Sequence, residues 1–211
     1  MSSVIWTILT IIILFAIGAW VVYRYWRRTP VRAYAPSTDI RNWLHQNAFT
    51  TLSTQNFSGL FNSGVRIKFQ AQRKDGAFFA QAEKVFVTLG SAGGTSVTPC
   101  TIISLMHPAR IEDQYKISFG TFTQSPFTDF EYNISDQAAT PNGISIFSNT
   151  KSVTPLNFMQ ICLAWSGARP AQLVLRDQNV IIAVPGFVDS KKLDMLLAGL
   201  TEILKKISAT S

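Results

Sequence analysis

The chain has 211 residues, of which 47% are hydrophobic and only 15% charged, and its formal charge is +7. Setting aside an N-terminal segment leaves roughly 170 residues, enough for one cored domain and tight for two. Of the 19 basic residues, Arg24, Arg27, Arg28 and Arg32 precede the first acid, Asp39, which leaves 15 bases against 12 acids, and that near balance, without a basic stripe, argues against a nucleic-acid partner.

No charged side chain occurs from Met1 to Tyr23. As a helix, Val4 to Tyr23 would extend about 30 Å, the thickness of a hydrocarbon core. Residues 1–28 are therefore predicted to form a single-pass transmembrane helix with a basic juxtamembrane flank. Trp6 at one end and Trp20, Tyr23, Arg24, Tyr25, Trp26, Arg27 and Arg28 at the other are the expected membrane-interface residues. Ala16, Gly18 and Ala19 form a small-residue notch suited to helix packing. The segment lacks a basic leading region and a small-residue cleavage site, so it reads as a signal-anchor and not a cleaved signal. The arginines on its C-terminal flank place the N-terminus outside and the following domain in the cytoplasm.

Residues 29–37, with Pro30 and Pro36, read as a stalk, and 38–211 as one soluble domain. Ser37 or Thr38 caps a helix predicted over Asp39 to Ser53, with Trp43 and Leu44 toward the core. Val65 to Ala71 and Phe78 to Leu89 alternate around Lys74-Asp75-Gly76, a hairpin signature. Val97 to Met106, Tyr115 to Phe122, Phe127 to Ile134 and Ile144 to Phe147 continue as strands. Thr154-Pro155 opens a helix that is apolar nearly all round and so expected to be deeply buried. Leu173 to Leu175 and Val180 to Val184 read as a second hairpin around Arg176-Asp-Gln-Asn179. Asp189 or Ser190 caps a terminal helix whose Leu193, Leu196, Leu197, Leu200, Ile203, Leu204 and Ile207 fall on one stripe. The expected fold class is α+β: one transmembrane helix, then an antiparallel sheet covered by about three helices.

Motifs for catalysis are missing. Gly90-Ser-Ala-Gly-Gly-Thr-Ser lacks the Gly-Lys-Ser/Thr of a phosphate loop, and no Gly-x-Ser-x-Gly, Ser-x-x-Lys or His-Glu-x-x-His occurs. Cys100 and Cys162 read as buried free thiols, and His45 and His107 as ordinary histidines. Asp129, Glu131 and Asp136 lie close together, but without calcium-loop spacing, so neither metal nor cofactor is expected. Phe122, Phe127, Phe130 and Tyr132 crowd one segment beside Phe119 and Pro126. They are either core or, where exposed together, a partner surface.

These features favour a non-catalytic accessory, structural or assembly subunit of a larger integral membrane complex, bioenergetic assemblies included. Its partners would be the lipid bilayer and that complex. The alternative is a membrane-tethered lipid- or small-ligand-binding domain, or an enzyme with a site outside known motifs. Either would show a pocket with polar groups near Glu83, Asp129 or His107.

Overall fold

The computed structural model describes residues 2–28, 34–52, 61–62, 64–88, 94–122, 125–135, 141–151, 157–165, 167 and 169–208. They fall into two compact units, Met1–Tyr34 and Ala35–Ser211. The first contains helix α1, Ser2–Arg28. Its side chains are described from Trp6 to Trp20 and are exposed throughout, and Thr10 returns its hydroxyl to the Trp6 carbonyl at 2.8 Å.

Among the described residues no helix is long and apolar enough to cross a membrane. The expected transmembrane anchor is thereby overturned, and with it the single-pass, signal-anchor topology and the placement of the N-terminus outside and the domain in the cytoplasm. The fold class is corrected in the same way. Among the described residues the chain is a mostly antiparallel sheet with four helices, α1 exposed and none long and apolar enough to span a membrane.

The described residues of the second unit form seven strands: β1 (Thr50–Thr51), β2 (Val65–Gln72), β3 (Phe78–Thr88), β4 (Gly94–Phe119), β5 (Tyr132–Asn133), β6 (Ile144–Ser148) and β7 (Ala171–Pro185). Their order is β1-β2-β3-β4-β6-β5, with β7 also on β4, and every pairing is antiparallel. Arg73 and Asp75 close the β2–β3 turn with an ion pair at 2.7 Å. Gly76 there takes a φ of +86°, a region that costs side-chain-bearing residues energy.

β4 is the spine, and the sequence divides it wrongly. Its first half lies between β3 and β7 and its last five residues between β6 and β7. His107-Pro-Ala-Arg-Ile-Glu-Asp-Gln114 falls between two predicted strands, yet β4 continues through it by bulging. From Met106 to Ile111 it advances five residues while β7 advances two, from Asn179 to Asp177, and a second shift follows before Tyr115. Asp177, with a φ of +54°, turns the chain within β7 and does not start a new strand. The expected second hairpin around residues 176–179 is therefore a bend in one strand, because both flanks pair with β4 and not with each other.

Helix α2 spans Thr38–Gln46, shorter than predicted. Ala48 takes a φ of +58°, and the Phe49 N–H closes onto the Leu44 carbonyl at 2.8 Å, so Phe49 stacks on Trp43 with ring centroids 5.6 Å apart. Helix α3, Phe158–Ala164, is capped by the Asn157 side chain, which accepts from the Gln160 N–H at 3.1 Å. It is buried on one side only: Phe158, Ile161 and Cys162 face the core while Leu163 is 65% exposed. The all-round burial expected from its composition is corrected, since one short helix over a sheet has one covered face. Helix α4, Ser190–Ser208, buries Leu193, Leu196, Leu200, Ile203 and Ile207, and the Asp189 carboxylate caps it by accepting from the Lys192 N–H at 2.8 Å.

Helices α2, α3 and α4 join the odd-numbered side chains of β4, among them Ile103, Tyr115, Ile117 and Phe119, in one large core. The opposite sheet face has a separate core, Phe78, Ala80, Ala82, Cys100, Ile102, Val174, Ile181 and Ala183, covered by Phe127 and Phe130. No helix of the described residues contributes to that second core.

Candidate ligand site on the second sheet face

Ala80, Ala82, Ala183 and Cys100 on this face share one core with the larger Phe78, Ile102, Val174 and Ile181 and with the rings of Phe127 and Phe130. The segment 127–131 is predicted to be a strand, but only Tyr132–Asn133 pairs as β5. The reason lies in spacing: Phe127 and Phe130, three residues apart, both point into one core, which a period-two strand does not allow. The strap is held at Ser125, whose Oγ accepts from the Phe127 N–H at 3.2 Å. It is held again at Asn62, whose N–H donates to the Pro126 carbonyl at 2.9 Å. Phe61 bridges to Phe127 and stacks on it at 6.0 Å.

Two lysines share this apolar face. Along β4, Tyr115, Ile117 and Phe119 point toward the helices, which turns Lys116 and Ser118 to the other side. Lys116 pairs across to Phe147 of β6 and Val174 of β7. Its side chain is 8% exposed, and its Nζ lies 5.4 Å from the Phe130 ring centroid and 5.2 Å from that of Phe147. Asp129, 92% exposed, stands 3.7 Å away. Burial pushes the Lys116 ammonium below its ordinary pKa, and Asp129 opposes that shift. Lys84, buried on β3, is lowered for the same first reason, again opposed by Asp129. Deeper in the face, Gln172 donates from Nε2 to Ser118 Oγ at 3.2 Å, while its buried Oε1 and that of Gln70 have no hydrogen-bond partner among the described residues. On the helix side of the sheet, where Tyr132 packs against the main core, Lys151 Nζ lies 5.3 Å from the Tyr132 ring centroid and the Tyr132 hydroxyl is bonded to Glu131.

The other candidate groups are engaged elsewhere. Burial raises the Cys100 thiol to about 12 and the Cys162 thiol to about 11, so neither is a thiolate nucleophile at neutral pH. His45 is exposed on α2. His107 Nδ1 accepts from the Ala109 N–H at 3.1 Å, and its Nε2 lies 2.9 Å from Ser208 Oγ, so this ring ties the end of α4 to the β4 bulge. Glu83 pairs with Lys68 at 3.0 Å. Glu131 is exposed, and residues 89–93 and Asp136 lie outside the described residues. A surface depression of about 440 Å³ runs along α4, lined by Asp194, Leu197, Ala198, Gly199, Thr201 and Glu202. It lies on a different element from Glu83, Asp129 and His107.

Of the residues singled out as a partner surface, Phe127 and Phe130 are buried in the second core, and Phe122 and Tyr132 are half-buried. Ala16, Gly18 and Ala19 lie on exposed α1 with Trp6 and Trp20. The side chains of Tyr23, Arg24, Tyr25, Trp26, Arg27 and Arg28 lie outside the described residues. Sequence reasoning missed Lys84 and Lys116, because in an alternating strand a lysine reads as solvent-facing. The signal that the second face is covered was the three-residue spacing of Phe127 and Phe130.

No family model matches the chain, and no curated protein matches it. Among solved structures, its fold is similar to the crystal structure of the mycobacterial trehalose monomycolate transport factor A, TtfA. The TM-score is 0.50 at 10% identity, over 82% of this chain and 94% of that one, so the likeness is one of fold.

Proposed function

We propose that this protein is a non-catalytic lipid-handling domain whose second sheet face receives an apolar chain in place of the Phe127 and Phe130 rings. The carrying observation is that face itself. Ala80, Ala82, Cys100 and Ala183 share its core with two aromatic rings carried on an irregular strap, next to a buried cation. Small side chains under removable rings make a trough for an acyl chain, and an ammonium beside an apolar trough is the complement of an amphiphile. The fold likeness to a factor named for transport of a mycolate-bearing trehalose supports the same class of ligand. The raised thiols and the engaged His107 speak against cysteine catalysis. The accessory-subunit expectation drew its docking mode from the transmembrane helix, and nothing in the fold favours it.

The test is titration of the full-length protein with a fluorescent neutral glycolipid. Saturable binding is expected, tightened severalfold by Phe130→Leu, which weakens the strap. The same substitution should lower stability by about 1 kcal/mol through lost packing. Failure of both folded proteins to bind any acyl-chain probe would overturn the reading.

A further inference from the structure

We infer that Lys116 is a positioning residue that keeps the strap over the second sheet face openable: its ammonium works against closure, and Asp129 and Phe130 offset that only in part. This deepens the lipid reading and rests on it for what enters once the strap lifts.

Seating Phe127 and Phe130 on this face completes an apolar core, but it also shuts in a charge. Lys116 stands on β4, paired across to Phe147 and Val174, so the sheet and not the strap sets its position. Its side chain is 8% exposed, and an ammonium taken out of water needs close ionic or strongly polar contacts to restore what hydration supplied. The strap brings two contacts, and each is partial. The Phe130 ring at 5.4 Å, like the Phe147 ring at 5.2 Å, attracts the cation without carrying charge. The Asp129 carboxylate stands at 3.7 Å, beyond the ~2.8 Å of a charge-assisted hydrogen bond, and at 92% exposed it is hydrated and screened. The lowered pKa of Lys116, with burial as its first cause, agrees in sign, since the closed surroundings disfavour the charged form. The asymmetry of the pair decides what removal does. Losing Lys116 leaves an exposed Asp129 that water already solvates, so no buried charge is stranded and the cost of desolvation disappears. Losing Asp129 leaves the ammonium buried against rings. The strap can yield without breaking the sheet, because residues 128–130 are neither helix nor paired strand and the Phe127 N–H is held by a side chain, the Ser125 hydroxyl.

The test is native-state hydrogen exchange on the full 211-residue chain without ligand, read as protection factors at the amides of Phe127, Thr128, Asp129 and Phe130, alongside thermal unfolding. Lys116→Met, which keeps an unbranched apolar stem and drops the charge, should slow exchange there by about fivefold and leave Tm unchanged or raised. A lysine that merely braced the strap would give the opposite sign. Asp129→Asn should speed exchange by about two- to fivefold. Glu131→Gln removes the same charge from the neighbouring acid, which engages the Tyr132 hydroxyl, and should leave exchange within about twofold. The inference is overturned if Lys116→Met does not slow exchange, lowers Tm or fails to fold, or if Asp129→Asn and Glu131→Gln act alike. Stopped-flow mixing with the fluorescent neutral glycolipid then separates the two ideas, because association with Lys116→Met should slow by the same factor as exchange. An association rate that ignores the slowed strap would overturn the gating. Slowed exchange with no binding of any acyl-chain probe leaves the strap bias standing and removes the lipid reading, whereas glycolipid binding with unslowed exchange does the reverse.

Discussion

Gly199 of α4 lies against the Trp165 ring, and a Cβ built there would come within 2.9 Å of Trp165 Cζ3. Helix propensity alone favours Gly199→Ala by ~1 kcal/mol. The ring is buried and packs on Phe119 with centroids 5.6 Å apart, so it has little room to retreat. Overpacking of this kind costs about 1–3 kcal/mol, and the variant should come out destabilised in urea unfolding. A stabilised Gly199→Ala would mean that Trp165 repacks freely. Nothing in the sequence announces this contact: a glycine inside an apolar helix reads as a weak spot, and only the neighbour across the core gives it a purpose. Lys116 teaches the same lesson with the opposite sign, since its strand position says outward and the Phe130 strap makes it buried.

Between elements, the docking of α2 on α4 depends on polar contacts at the rim of the main core. The Asp39 carboxylate accepts from the Ser190 N–H at 2.9 Å and from its hydroxyl at 2.8 Å, and Trp43 Nε1 donates to Asp194 at 2.6 Å. The Ser190 bonds hold the Asp39 carboxyl below its ordinary 3.8. A depressed folded value means that the stabilisation is complete above the unfolded pKa and is lost as pH falls through the folded one. Thermal unfolding followed from pH 6 down to pH 2 should therefore show a steeper loss of Tm below about pH 4 in the natural protein than in Asp39→Asn. Parallel curves would show that this carboxylate does not couple the two helices. The capping residues at both helix starts were legible, because Ser37 and Asp189 act within three residues of themselves. The end of α2 was not, since Ala48 adopts a positive φ only because Phe49 is drawn onto Trp43.

At the scale of the whole molecule, residues 35–211 contain both cores, and the first unit ends at Tyr34. A chain beginning at Ala35 should fold and unfold in one cooperative step, measured by coincident far-ultraviolet dichroism and tryptophan fluorescence in urea. Two separated transitions would show that the two faces of the sheet are not one folding unit. The sequence by itself determined the local features: the β2–β3 turn at Asp75-Gly76, the caps of α2 and α4, and the apolar stripe of α4. These follow from turn chemistry and side-chain periods that act over a few residues. Tertiary structure alone decided that β4 runs unbroken through a proline-containing bulge, that the 176–179 turn is a bend, and that Phe127 and Phe130 leave strand geometry to close the second face. It also overturned the helix most prominent in the sequence as a membrane span. Those outcomes depend on partners far away along the chain, and no local pattern encodes what a strand edge or a sheet face will meet.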